Sequence, residues 1–162
     1  MKRSIPVLAV ALLCVCLPAF SYAADRNPFL AEVSAFSVVV ENLSPYLKGI
    51  GMTEADIQDR VEFLCRRNSF PLNSKAWPWL YVRVTALPVT VGERIVGYAY
   101  TVELAFKQLA KTKSNEMYTV ASWSARTSLV VGPREALQRM IKDTLQDKVE
   151  EFANVWMASH NQ

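Results

Sequence analysis

The chain has 162 residues, 51% of them hydrophobic and 20% charged, with 18 basic against 15 acidic side chains. Nothing in that near-balance points to nucleic acid, for which a clustered basic face is expected. The one histidine, His160, and Cys65, the one cysteine outside the apolar N-terminal run, lie far apart in sequence and make no recognisable metal site.

The N-terminus predicts export. Met1-Lys2-Arg3 is positive, Ile5 to Phe20 is apolar apart from Pro6 and Pro18, and Ser21-Tyr22-Ala23 supplies small residues before a cleavage point near Ala23 or Ala24. The apolar run is short for a bilayer span, which needs about 20 residues. Residues 1–24 are therefore read as a cleavable signal peptide and residues 25–162 as one α/β domain. Leu13 and Val15, not small residues, precede Cys14 and Cys16, so a soluble periplasmic or secreted protein is expected rather than a lipoprotein. Removing the signal takes Lys2 and Arg3 with it and lowers the formal charge from +3 to +1. Cys65 is then the single thiol, so no internal disulfide can staple the fold. A second apolar run long enough to cross a membrane does not occur in the mature chain.

After a linker from Asp25 to Leu30, Val33 to Leu43 is rich in β-branched residues and reads as a strand. Gly49 and Gly51 mark a turn. Thr53 then caps a helix, with Asp56 three residues on completing a capping-box pair. Ile57, Val61, Leu64 and Cys65 form its apolar stripe, and Pro71 stops it. Three alternating strands follow. In Trp79 to Leu87, Leu80, Val82, Val84 and Ala86 alternate with Tyr81, Arg83 and Thr85. In Ile95 to Leu109, Tyr98, Tyr100, Val102, Leu104 and Phe106 oppose Ala99, Thr101, Glu103, Ala105 and Lys107. In Met117 to Val131, Ser122, Ser124, Arg126 and Ser128 alternate with Ala121, Trp123, Ala125, Thr127 and Leu129. Such alternation predicts an antiparallel sheet covered on one side. Thr90 to Arg94 and Lys111 to Glu116 are the expected hairpin loops. Pro133 opens a second long helix, whose apolar stripe runs from Leu137 through Ile141, Leu145, Val149 and Phe152 to Trp156.

The order β-α-β-β-β-α, with one apolar stripe per helix and one apolar sheet face, predicts a two-layer α/β sandwich with both helices on one face. A signal peptide followed by this order resembles small bacterial envelope proteins of the lipopolysaccharide-transport plug lipoprotein type and the N-terminal domain of the Tol-system propeller protein. The resemblance is architectural, carries no diagnostic motif and transfers no site residue. Fold likeness of this kind does not fix function.

Catalytic groups are scarce. His160, three residues from the C-terminus, is expected to be a frayed, exposed tail residue and no triad member. Cys65 is read as a small buried hydrophobe. Gly49-Ile50-Gly51 lacks the rest of a phosphate loop. The carboxylate pairs Glu54/Asp56 and Glu150/Glu151 are read as helix-start and solvated groups, and Lys107, Lys111 and Lys113 as a basic hairpin end. No cofactor and no enzymatic activity are expected. The suggestive group is aromatic. Trp77 stands at a strand entrance, Trp79, Tyr81 and Arg83 share a strand face, and Arg126 lies on the polar side of the last strand, so these five form a candidate interaction surface. Packing of Trp79 and Trp123 at the sheet edge or helix ends is the alternative. The expected function is an exported, non-enzymatic binding or scaffold module. A lipid or glycan carrier is the alternative. The expected partner is another envelope protein or a second copy, with membrane proximity left open.

Overall fold

Three consecutive stretches that alternate apolar and polar side chains pair into a sheet with one greasy and one wet face. The computed structural model describes residues 26–160, so the expected signal segment lies outside the described residues. Along the chain run β1 (Ser37–Val40), α1 (Pro45–Gly49), α2 (Glu54–Arg67), β2 (Trp79–Val91), β3 (Arg94–Lys111), β4 (Met117–Arg126), β5 (Val130–Gly132) and α3 (Arg134–His160). The strands lie in the order β1-β2-β3-β4, with β5 also on β3. β1 is parallel to β2, and every other pairing is antiparallel. The observed fold is thus the expected α/β sandwich with a mostly antiparallel sheet.

Leu80, Val82 and Val84 of β2 and Tyr100, Val102, Leu104 and Phe106 of β3 are buried in one core with Ile57, Val61, Leu64 and Cys65 of α2 and Ile141, Leu145, Val149 and Phe152 of α3. Both long helices therefore cover the same face, as their single stripes require. Each such side chain contributes about 1.5–3 kcal/mol of burial before entropy is subtracted. At the end nearest Asn27 and His160 the core is aromatic. Phe36 lies 5.3 Å from Phe106 and 5.3 Å from Trp156, and Phe106 stacks on Phe152 at 5.4 Å.

Helix α2 starts where Thr53 and Asp56 predict. The Asp56 N–H donates to Thr53 Oγ1 at 3.1 Å and the Thr53 N–H donates to Asp56 Oδ2 at 3.0 Å. The Thr53 contacts hold the Asp56 carboxyl below its usual pKa. The β2-β3 hairpin closes more tightly than the expected Thr90–Arg94 loop. Val91 pairs with Arg94, and Gly92 takes φ +60° at the first loop position, where a type II′ turn wants glycine.

Four expectations need correction. The first strand spans Ser37–Val40, not Val33–Leu43, because a turn begins at Pro28 and buries Leu30 instead of extending the sheet. The short helix α1 was not anticipated. The last strand does not run unbroken from Met117 to Val131. The Val102 N–H bonds the Thr127 side-chain oxygen at 2.9 Å in place of a carbonyl, and the chain leaves the sheet before returning as β5. His160 is not a frayed tail residue. It ends α3 with its ring stacked 4.2 Å from Trp156, Nδ1 2.9 Å from the Trp156 carbonyl and Nε2 3.4 Å from the Val33 carbonyl. The N-terminal segment holds this end in place, with the Asn27 N–H donating to Ser159 Oγ at 3.0 Å and Asn27 Nδ2 to the Ser122 carbonyl at 2.7 Å.

Candidate functional site

The outer face of the sheet carries the odd-numbered residues of β2 and β3. Strand parity puts Trp79, Tyr81, Arg83, Thr85 and Leu87 there, opposite Lys107, Ala105, Glu103, Thr101 and Ala99. Trp77 precedes β2 and meets Trp79 edge-on at 4.3 Å. Ser124 and Arg126 of β4 continue the face, with Arg126 opposite Glu103. The five candidate residues thus lie at or beside one sheet face that neither long helix covers. Trp123 is elsewhere. It points inward and packs 4.9 Å from Phe152, because the outer parity of β4 belongs to Ser124 and Arg126.

Pairing across strands sets the electrostatics. Glu41, just beyond β1, accepts from Tyr81 Oη at 2.5 Å and forms an ion pair with Arg83 Nε. Arg83 stands opposite Glu103, whose Oε2 lies 3.8 Å from Arg126 Nε. The resulting row Glu41-Arg83-Glu103-Arg126 crosses four strands with alternating sign. Lys107 Nζ sits 3.3 Å above the Tyr81 ring, a cation–π contact. The Tyr81 hydroxyl, followed by the Arg83 guanidinium, holds the Glu41 carboxyl below the usual range. Burial, helped by the Glu41 carboxylate, pushes the Tyr81 phenol up. Arg83 is shifted further toward its charged form, chiefly by its bond to Glu41.

Three members of this face, Glu41, Glu103 and Lys107, were not among the sequence candidates. Alternation already placed Glu103 and Lys107 on the polar side of their strand, but the strand order that brings Glu41 to Arg83 is not visible in the alternation. Lys107 does not join Lys111 and Lys113 at the hairpin end, because it folds over Tyr81. The row flanks apolar ground. Leu87 and Val131 are exposed on either side of Ala99 at one end, and Trp79 at the other.

Chemically, the face offers aromatic edges and fixed charges, with the Glu41 carboxylate at one end of the row bonded twice as an acceptor. Among the described residues no group of three or more His, Cys, Asp or Glu is arranged to hold a metal ion. Cys65 lies in the core, where burial pushes its thiol up to about 12. Open grooves of about 520 and 570 Å³ lie away from this face, one between the β2-β3 hairpin and the start of α3, the other between α2 and α3.

Fold and face together define a class, a two-layer α/β sandwich with one side of its sheet open. No family model matches the chain, and no curated protein matches its sequence. Among solved structures, a minor lipoprotein from Acinetobacter baumannii is similar over 74% of this chain and 88% of its own, at 11% identity and a TM-score of 0.31. A neuraminyllactose-binding hemagglutinin homolog from Helicobacter pylori is similar over 85% of this chain and 90% of its own, at 11% identity and a TM-score of 0.32. Likeness at this level carries no functional inference. No helix among the described residues is long and apolar enough to cross a membrane.

Proposed function

We propose that the protein is an exported, non-enzymatic binding or scaffold module that acts through protein contacts in the cell envelope. The observation that supports this most is the uncovered sheet face, where Trp79, Tyr81 and Arg83 stand in line beside Trp77 and near exposed Leu87 and Val131. Aromatic residues and arginine anchor interfaces because they combine large apolar area with directed polar contacts. Export is supported by the character of residues 1–24. The carrier reading finds little support between the layers, since Phe36, Phe70, Phe106, Phe152 and Trp156 fill that space.

A photo-crosslinking side chain at Trp79, introduced into the exported full-length chain, tests the reading. Discrete protein adducts are expected, and they should weaken when Arg83 is changed to alanine. Labelling of lipid or glycan alone at that position would overturn it, as would a crosslinker that reacts only with solvent.

A further inference from the structure

The margins of the sheet differ in how they are finished. At the entry to β1 the margin is occupied, since the Phe36 N–H donates to the Pro71 carbonyl at 3.1 Å and the Asn73 N–H donates to the Phe36 carbonyl at 2.9 Å. Where β2 runs past β1, its margin carries Pro88, which has no N–H to offer. Among the described residues, β4 has neither device over Met117–Ala121. From Met117 to Ala125 it contains no proline and no charged residue, and Met117, Tyr118 and Val120 are 53%, 52% and 40% exposed. Edges left without charge or proline are templates for pairing with another strand.

The open part of this margin has defined ends. At one end is the β3-β4 hairpin loop. At the other, the chain bulges at Ser122, which falls between the pairs Lys107–Ala121 and Phe106–Trp123, and the Ser122 carbonyl is taken by Asn27. Within it, the direction of the backbone groups follows from the loop. The Thr112 N–H donates to the Glu116 carbonyl at 2.9 Å, so the next pair, Lys111–Met117, is of the wide, non-bonded kind, as are Leu109–Thr119 and Lys107–Ala121. The N–H and C=O groups of Met117, Thr119 and Ala121 consequently point away from β3. This set is symmetric about Thr119.

We propose that Met117–Ala121 pairs antiparallel with the same segment of a second copy of the chain, about a two-fold axis at Thr119. Thr119 then bonds Thr119 of the second copy, and Met117 and Ala121 bond Ala121 and Met117 of that copy, using every outward backbone group of the segment. Tyr118 comes opposite Val120 of the second copy and Val120 opposite its Tyr118, which covers side chains that neither long helix reaches. A strand that meets itself brings every charge near its own copy, and this segment carries none to oppose the contact. Threonine pairs and aromatic–β-branched pairs are both favourable across strands. Because the contact is isologous it closes at two copies. The proposal rests on the reading of the protein as a contact module, but it uses a margin separate from the Trp79–Arg83 face.

Light scattering on size-exclusion fractions of the full-length exported protein tests it over a range of concentrations. The wild type should shift toward twice the monomer mass as concentration rises. Thr119→Pro removes an N–H that β3 does not use, so it should hold the monomer mass with unchanged circular dichroism and thermal midpoint. Thr119→Lys and Thr119→Glu should each stay monomeric, and mixing the two should restore the doubled mass as a heterodimer. A wild type that stays at monomer mass, assembly beyond two copies, or variants that keep the doubled mass would overturn the proposal, as would a foreign strand captured by a crosslinker at position 119. A monomer whose Trp79 crosslinks still capture another envelope protein would overturn the dimer alone and leave the contact reading standing.

Discussion

Phe152→Ala probes whether the space between the layers is filled or able to receive a ligand. Phe152 is fully buried and meets five aromatic rings, Phe36, Phe70, Phe106, Trp123 and Trp156, at 4.9 to 5.9 Å. Large-to-small changes of this kind cost about 3–5 kcal/mol. The neighbouring rings are held by different elements, and several pack edge-on or tilted in their own minima, so the hole can collapse only in part. The loss should lie in the upper part of the range, about 4 kcal/mol. That is a large share of the roughly 5–15 kcal/mol of an ordinary domain, and it corresponds to a fall in thermal midpoint of about 12 °C. Urea titration followed by tryptophan emission reads the loss, with an unchanged m-value as the check on a common unfolded state. A dry, ring-lined cavity also binds benzene, so benzene should raise the midpoint of Phe152→Ala by mass action and leave the wild type where it is. A loss under about 2 kcal/mol by this cavity reasoning, or a wild-type midpoint that rises with benzene, would refute the filled-core argument and revive the carrier reading.

Acid should unfold the protein earlier than its size alone suggests. Glu41, Glu54 and Asp56 all have carboxyls lowered in the folded state, Glu54 to about 2 by its Lys48 and Leu43 partners. A group with a lowered folded value binds fewer protons folded than unfolded, so its contribution is complete above its ordinary value, 4.5 for the glutamates and 3.8 for Asp56, and is lost as pH falls through the lowered value, about 2 for Glu54. Urea midpoints should fall across that window, and Glu54→Gln should flatten the slope; a wild-type midpoint independent of pH there would remove the argument. The Cys65 thiol, pushed up to about 12 by burial, should resist aromatic disulfide reagents in native protein at mildly alkaline pH and react once urea unfolds the chain. Rapid native labelling would place the thiol outside the core. Ser159→Ala removes the acceptor of the Asn27 N–H and should cost about 1 kcal/mol. Hydrogen exchange should quicken around Leu30 and Val33, and unchanged exchange there would show that the contact does not hold the segment.

Much of this architecture is legible in the residues because local signals agree with the global fold. Thr53 and Asp56 mark the start of α2 through backbone hydrogen bonds that need no tertiary partner. The alternation of β2 and β3 assigns faces correctly because the side-chain period is two in any sheet. The failures lie where distant contacts override local preference. Val33 has the composition of a strand, yet its carbonyl faces His160, 127 positions away. His160 looks like a frayed end until Trp156 and the N-terminal segment are placed around it. Ser122 keeps the alternating pattern while being the extra residue of a bulge, so residues on its two sides follow opposite parities. For the candidate surface, parity gathers Trp79, Tyr81 and Arg83, but Glu41 joins them only because the crossover through α2 lays β1 beside β2.

The row Glu41-Arg83-Glu103-Arg126 explains how a face can stay open without becoming a site of indiscriminate adhesion. A purely apolar face of this extent would bury itself against any other apolar surface, and a run of like charge would repel its own neighbours across the strands. Alternating sign avoids both outcomes, and the hydrogen bonds from Tyr81 and Arg83 to Glu41 fix side chains that solvent would otherwise leave mobile. A partner that docks there meets preset charges between two apolar ends, so little side-chain ordering remains to be done on binding. The exposed ion pairs themselves contribute little to folding, about 0–1 kcal/mol each. Stability rests on the covered side of the sheet, which leaves the residues of the open side free to be chosen for what they touch.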